Sequence, residues 1–226
     1  MRLPIEEEAE RLRAWLADPR PAEGSAEAER DADDYPAWER VYAAVNGLLR
    51  VPPPAWNAEQ CAALVYVVGR DHMAMQVIDI VTSDQEAFLT FAGAAARSDD
   101  DDAKWQAAAY LPTFPDAPGI ESMLLGLVGD GYEYVKRRAL LALAELGSAH
   151  TERLAVEHWR AHGSDDEHAR IGALAALEQI GSRLCDEYVR LALADGRPYL
   201  CRYAEEMRLR RDQGAATWLK TSTSSA

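Results

Sequence analysis

The chain of 226 residues is long enough for one or two compact domains, and at 48% hydrophobic and 27% charged residues it has an ordinary globular composition. No stretch approaches 18 uninterrupted apolar residues, which argues against a membrane-spanning helix. The formal charge of −14 argues against a phosphate backbone as partner, since such binders need a basic stripe, and favours a basic protein.

The first residues, MRLPIEEEAERLRAWLADP, carry four glutamates where a secretory signal has a basic end and an apolar run, so an unexported, cytoplasmic protein is expected. Within them, PIEEEAERLRAWLAD reads as an amphipathic helix with Leu12, Trp15 and Leu16 on its apolar side. Residues 19–36 are rich in Pro, Ala and acids and read as a flexible linker. The division expected is therefore 1–35 for this helix and linker, 36–212 for a helical body, and 213–226 for an unstructured tail ending TSTSSA. AWERVYAAVNGLLR is a helix stopped by VPPP. NAEQCAALVYVVG, SDQEAFLTFAGAAARS, PGIESMLLGLVGD, HTERLAVEHWRAHG and SRLCDEYVRLALADG follow, with apolar residues at spacings of three and four. Ser83 with Glu86 and Ser164 with Glu167 have capping-box spacing and predict helix starts. No alternating β pattern interrupts the series, so the fold class is all-α.

Between these stretches runs a repeat. EYVKRRALLALAELGS (133–148) and EHARIGALAALEQIGS (167–182) read almost alike: each opens on an acid and a ring, has a basic residue fourth, runs through Ala and Leu, and closes on Gly-Ser. Aligned on the basic residue, Lys104, Lys136, Arg170 and then Cys201 share one slot, at offsets of 32, 34 and 31 residues. Three residues on, every copy has alanine: Ala107, Ala139, Ala173 and Ala204. DHMAMQVIDIV (71–81) reads as a degenerate upstream copy. A fixed period of this length is the signature of stacked helical hairpins. With about 100° per residue, Val135, Ala139, Ala142, Leu143 and Leu146 point into one core. Leu140, Leu141 and Ala144 then point largely away from it, beside Arg137.

The turn acid, the apolar residue followed by Lys or Arg, the small Ala and the closing Leu-Gly or Ile-Gly together resemble the HEAT repeat. The likeness is to bacterial HEAT-like proteins grouped with phycobilisome lyases. It spans Asp102 to Gly181 and, more weakly, extends to Asp212. The resemblance implies a right-handed α-α superhelical solenoid of about five hairpins with an N-terminal helical extension. It also implies a concave face lined by second helices. On that face Trp105, Leu140, Ile171 and Leu174 would form an apolar floor, with Trp105 and Arg137 as anchors for a protein partner. The competing reading is that neighbouring repeats or the N-terminal helices cover these side chains. The family scaffolds many tasks. An acidic member suits a basic toxin or effector, as an immunity or adaptor protein. The enzymatic alternatives it implies are a bilin lyase subunit or an alkylation-repair glycosylase.

The residues themselves carry little chemistry. His158 and His162 have zinc-ligand spacing, but WRA between them lacks the glutamate of the hydrolytic motif; a half-buried histidine and one at a helix end explain them equally. The acidic runs at Asp31–Asp34, Ser98–Asp102 and Ser164–Glu167 lack a calcium-loop register, and the latter two fit helix capping. Cys61, Cys185 and Cys201 have no metal or redox spacing and are expected as reduced, buried thiols. Without a phosphate loop or nucleophile motif, no catalytic residue, cofactor or metal is assigned, and a non-catalytic interaction protein is the expectation.

Overall fold

The computed structural model describes residues 4–18, 31–161 and 166–223. The described residues form twelve α-helices and three short 3₁₀ turns, and no strand. Two compact units divide the chain, residues 1–135 and 136–226, and the boundary falls inside one helix. Of the linker expected over 19–36, residues 19–30 lie outside the described residues, and the remainder is not a free tether: Ala32–Asp34 form a 3₁₀ turn, with Ala32 and Tyr35 buried.

The first unit contains α1 (Ile5–Ala17), α2 (Trp38–Leu48), α3 (Ala58–Arg70), α4 (Gln76–Thr82), α5 (Gln85–Ala95), α6 (Asp101–Tyr110) and α7 (Ile120–Leu127). At its centre is α3, which packs against α1, α5 and α6. Its start is a capping box: Asn57 Oδ1 accepts from the Gln60 N–H at 2.8 Å and Gln60 Oε1 from the Asn57 N–H at 3.1 Å. Its later half buries Leu64, Val65, Val67, Val68 and Gly69, so it is apolar nearly all round, as a central helix must be. From α6, the wholly buried Gln106 amide donates to the Val68 carbonyl at 2.8 Å. Gly69 permits this approach, because a Cβ there would stand 2.4 Å from the Asp100 carboxylate.

Helix starts depart from expectation at two places. Asp84, not Ser83, caps α5 through the Ala87 N–H at 2.9 Å. The Ser83 hydroxyl instead donates back to the Ile80 carbonyl at 2.6 Å and stays with the preceding helix. In the second unit Asp166 caps α10, accepting from the His168 and Ala169 N–H groups, while Ser164 lies outside the described residues. Asp100 caps α6 through Ala103 at 3.0 Å, so acidic runs do begin these helices. The upstream repeat copy is shorter than its pattern. Residues 71–75 form a turn that ends with Met75 in the left-handed region (φ 57°), and α4 starts only at Gln76.

Helix α8 (Glu133–Glu145) crosses the boundary, and the second unit continues with α9 (Thr151–Ala161), α10 (Glu167–Gln179), α11 (Cys185–Asp195) and α12 (Pro198–Thr223), which runs well into the segment expected as an unstructured tail from 213. Here α9 packs on α10, α11 packs on α12, and α10 also touches α11 and α12. The internal repeat is realised in detail at the ends of α8 and α10. Gly147 and Gly181 take φ of 65° and 63°, conformations that a side chain would strain. Around them Ser148 N–H bonds the Leu143 carbonyl and Gly147 N–H the Ala144 carbonyl; Ser182 with Leu177 and Gly181 with Glu178 repeat both bonds. These are two Schellman ends 34 residues apart. Burial repeats too. Val135, Ala139, Ala142 and Leu143 correspond to Ala169, Ala173, Ala176 and Leu177, and all eight are buried. The column of small residues, Ala107, Ala139, Ala173 and Ala204, is wholly inaccessible. Only close helix contact does this, because a larger side chain has no room there.

Candidate functional site

The predicted groove residues do not form one open floor. Leu140 and Leu174 are core side chains at 1% and 0% exposure, as fully buried as the alanine column on the opposite side of their helices. The covering reading is the correct one for these two, since helices α8 and α10 are enclosed on both flanks. Trp105 lies in the first unit and is also buried. Its indole N–H donates to Asp102 Oδ1 at 3.1 Å, and its ring meets Tyr134 edge-on at 5.3 Å. Arg137 is half-buried and lies along α10: a Cβ on Gly172 would stand 2.6 Å from its Cγ and Cδ. Its methylene stem therefore serves as helix packing. Of the five, Ile171 alone is a part-exposed apolar side chain beside open space.

That space is a furrow of about 260 Å³ between α10 and α12, lined by His168, Ile171, Tyr199, Arg202, Tyr203 and Glu206. Its construction begins with Glu167. Glu167 Oε2 accepts from the Tyr199 and Leu200 N–H groups at 3.2 and 3.1 Å, satisfying the first turn of α12 and fixing it to the start of α10. Tyr199 stacks with His168 (6.2 Å between centroids, 27°) and carries the Arg202 guanidinium on its ring at 5.2 Å, yet remains 52% exposed. One turn on, Tyr203 has Arg210 over its ring at 5.8 Å, and burial raises its phenol above the ordinary range. Arg210 in turn pairs with Glu178 of α10 at 3.1 Å. The signal for this furrow in the sequence is the spacing of Tyr199 and Tyr203, four residues apart on one helix, which places both on one face.

The basic slot of the repeat has a structural task. Lys104 reaches Asp101 and Asp130, both at 3.0 Å. Burial works to lower its pKa, but hydrogen bonds to the two carboxylates outweigh this and leave it raised. Arg170 pairs with Asp195, which also binds Arg197 at 2.8 Å. The Arg197 hydrogen bond, acting against burial, holds the Asp195 carboxyl below its usual range. Lys104 and Arg170 thus each tie their helix to the turn before the next repeat's second helix. At the fourth copy Cys201 Sγ lies 3.4 Å from the Ala192 carbonyl.

Of the thiols, Cys185 is buried and its pKa raised by that burial, whereas Cys61 and Cys201 are half-exposed; all three are free. His158 is buried beside Trp159, and His162 lies outside the described residues. Among the described residues no three His, Cys, Asp or Glu side chains are arranged to hold a metal ion. No helix among them is long and apolar enough to cross a membrane. No family model, curated protein or solved structure matches the chain.

Proposed function

We propose that the chain is a HEAT-like right-handed stack of about five helical hairpins whose work is to bind a basic protein partner. The repeat period, the inaccessible alanine column and the paired Schellman ends support the stacked reading. The observation that carries the binding reading is the α10–α12 furrow. It presents an exposed tyrosine, a part-exposed isoleucine and an arginine on the backbone of two packed helices. Tyr and Arg on a rigid support supply contact area at low entropic cost and are the residue types in which binding energy concentrates. The net charge of −14 steers a cationic partner toward the protein, and fast association of this kind suits an adaptor or an immunity protein against a basic toxin.

The test is capture of partners from the native host by wild type, Ile171→Asp and Tyr199→Ala run in parallel, followed by binding kinetics with the identified protein. Tyr199→Ala is expected to cost about 2 kcal/mol or more of binding energy with unchanged thermal unfolding, because the ring is half in solvent before binding. The association rate should fall with added salt. Equal capture by all three forms, or a partner that is itself acidic, would refute the reading.

A further inference from the structure

The first unit holds a larger cleft, about 490 Å³, between α3 and α5, well separated in sequence from the furrow of the second unit. Such a volume lies in the range of small-molecule sites. Its walls follow one face of each helix. From α3 come Ala58, Cys61, Ala62, Val65 and Tyr66, at helical spacing; Thr90 and Ala94 come from α5, and Arg97 from the turn that follows it. Small residues at three of these positions keep the helices' facing surfaces from filling the gap, and Trp56 closes one side. The lining is mostly apolar, so an occupant needs an apolar body.

The polar groups around it say what else the occupant needs. Several are already committed. Trp56 donates its indole N–H to the Val51 carbonyl at 2.9 Å. Asn57 is spent on the capping box, and the Ser98 hydroxyl donates to the Ala95 carbonyl at 2.8 Å. Three others are uncommitted: the Arg97 guanidinium, the Thr90 hydroxyl and the Tyr66 hydroxyl have no hydrogen bond or ion pair among the described residues. The Arg97 charge is felt at the Cys61 thiol, whose pKa burial raises and Arg97 opposes. The neighbouring field is cationic as well. Arg13 and Arg70 stand over the Tyr66 ring at 4.2 and 5.3 Å, although each also has a carboxylate partner, Glu10 and Asp100. In a chain of net charge −14, the cleft sets against its apolar wall a guanidinium and two hydroxyls that are unpaired among the described residues.

We infer that the α3–α5 cleft binds a small organic carboxylate with an aliphatic or aromatic body. The carboxylate accepts from Arg97 and from the Thr90 or Tyr66 hydroxyl. The body lies along Cys61, Ala62, Val65 and Ala94, against Trp56. A charge-assisted hydrogen bond is the strongest polar contact open to these donors, and at an apolar wall it is less weakened by water than on open surface.

Calorimetric titration of the full chain with octanoate, and with octan-1-ol as its neutral counterpart, tests this. Octanoate is expected to bind about tenfold or more tightly than octanol, the difference being the charged contact. Arg97→Gln should bring octanoate down to the level of octanol and leave octanol unchanged. Ala62→Trp, at an exposed position, should fill the cleft and abolish binding of both without altering the melting curve. Absence of octanoate binding, octanoate binding no more tightly than octanol, or unchanged binding to Ala62→Trp would each overturn the proposal. Failure here leaves the furrow of the second unit untouched, since the two sites share no residue.

Discussion

Asp71 in the first unit and Asp195 in the second are both withdrawn from water, and they are held in opposite ways. Asp71, 1% exposed, accepts from the Val77 N–H at 2.6 Å and lies 3.5 Å from the Tyr42 phenol. Its partners are neutral donors. Burial therefore dominates and raises its pKa above the ordinary 3.8, while backbone hydrogen bonds from Val77 and Gln76 pull the other way. Tyr42 responds in kind, pushed up to about 12 by burial first and by Asp71 second. Asp195 is gripped by Arg170 and Arg197, and the hydrogen bond from Arg197 overcomes burial and lowers its pKa. Withdrawal from water does not by itself set a carboxylate's behaviour; the charge of what replaces the water does. Asp71 works as an internal cap that shapes the turn into α4, and Asp195 as a clasp between α10 and the turn before α12.

The largest effect should come from breaking the clasp. Asp195→Ala leaves two guanidiniums, each only about a fifth exposed, without their shared carboxylate. We expect a loss of about 3 kcal/mol in denaturant unfolding, the lower end for a broken buried pair because both cations retain some water. A loss below about 0.5 kcal/mol would mean that Arg170 and Arg197 are surface charges in practice.

Next in size is a test of what the two units share. Ala107 and Ala173 stand in equivalent places in the first and second units, and neither is accessible. Leucine at either should overpack the helix contact and cost about 1–3 kcal/mol. Leucine at the exposed Ala149 or Ala161 should be near neutral. If only one of the two buried substitutions is costly, the units are not built alike.

The smallest effect sharpens the contrast most directly. Asp195 releases its proton more readily when folded, so its stabilisation is fully present above 3.8 and drains away as pH falls through its lowered value. Asp71 does the reverse. The folded chain keeps its proton where the unfolded chain has lost it, so that contribution is full below 3.8 and is lost as pH rises through the raised value. Asp71→Asn keeps an acceptor for the Val77 N–H and removes the charge. Its stability at neutral pH should match or exceed wild type by up to about 1 kcal/mol, and one source of decline between acidic and neutral pH should vanish. Denaturant titrations across that range, with both variants beside wild type, measure the two slopes. Slopes of the same sign for the two carboxylates would undo the comparison.

The second helices illustrate what could be read without coordinates. EYVKRRALLALAELGS and EHARIGALAALEQIGS already specify where α8 and α10 lie, that alanine faces a close neighbour, and that a glycine ends each helix. All three are local consequences: helical periodicity orders side chains on faces, alanine leaves room for contact, and glycine alone enters the left-handed turn without strain. The acidic runs announce helix starts for the same reason, with Asp100 and Asp166 as caps, whereas at the Ser83–Glu86 spacing the capping atom belongs to Asp84 rather than Ser83. Which flank of a helix meets water is a different kind of question. Leu140 and Leu174 look outward by angle yet are sealed, and Glu8, in the midst of an acidic first turn, is fully buried against Arg40 at 2.9 Å. No periodicity in one helix states what lies beyond it, because that depends on chain tens of residues away: 32 positions separate Glu8 from Arg40, and 28 separate Ile171 from Tyr199. The sequence by itself therefore determined the helices, their ends and the small-residue contact faces, which are set by neighbours along the chain. Tertiary structure alone decided which remaining faces close and which stay open as cleft or furrow, since burial is a property of helices meeting and not of any one of them.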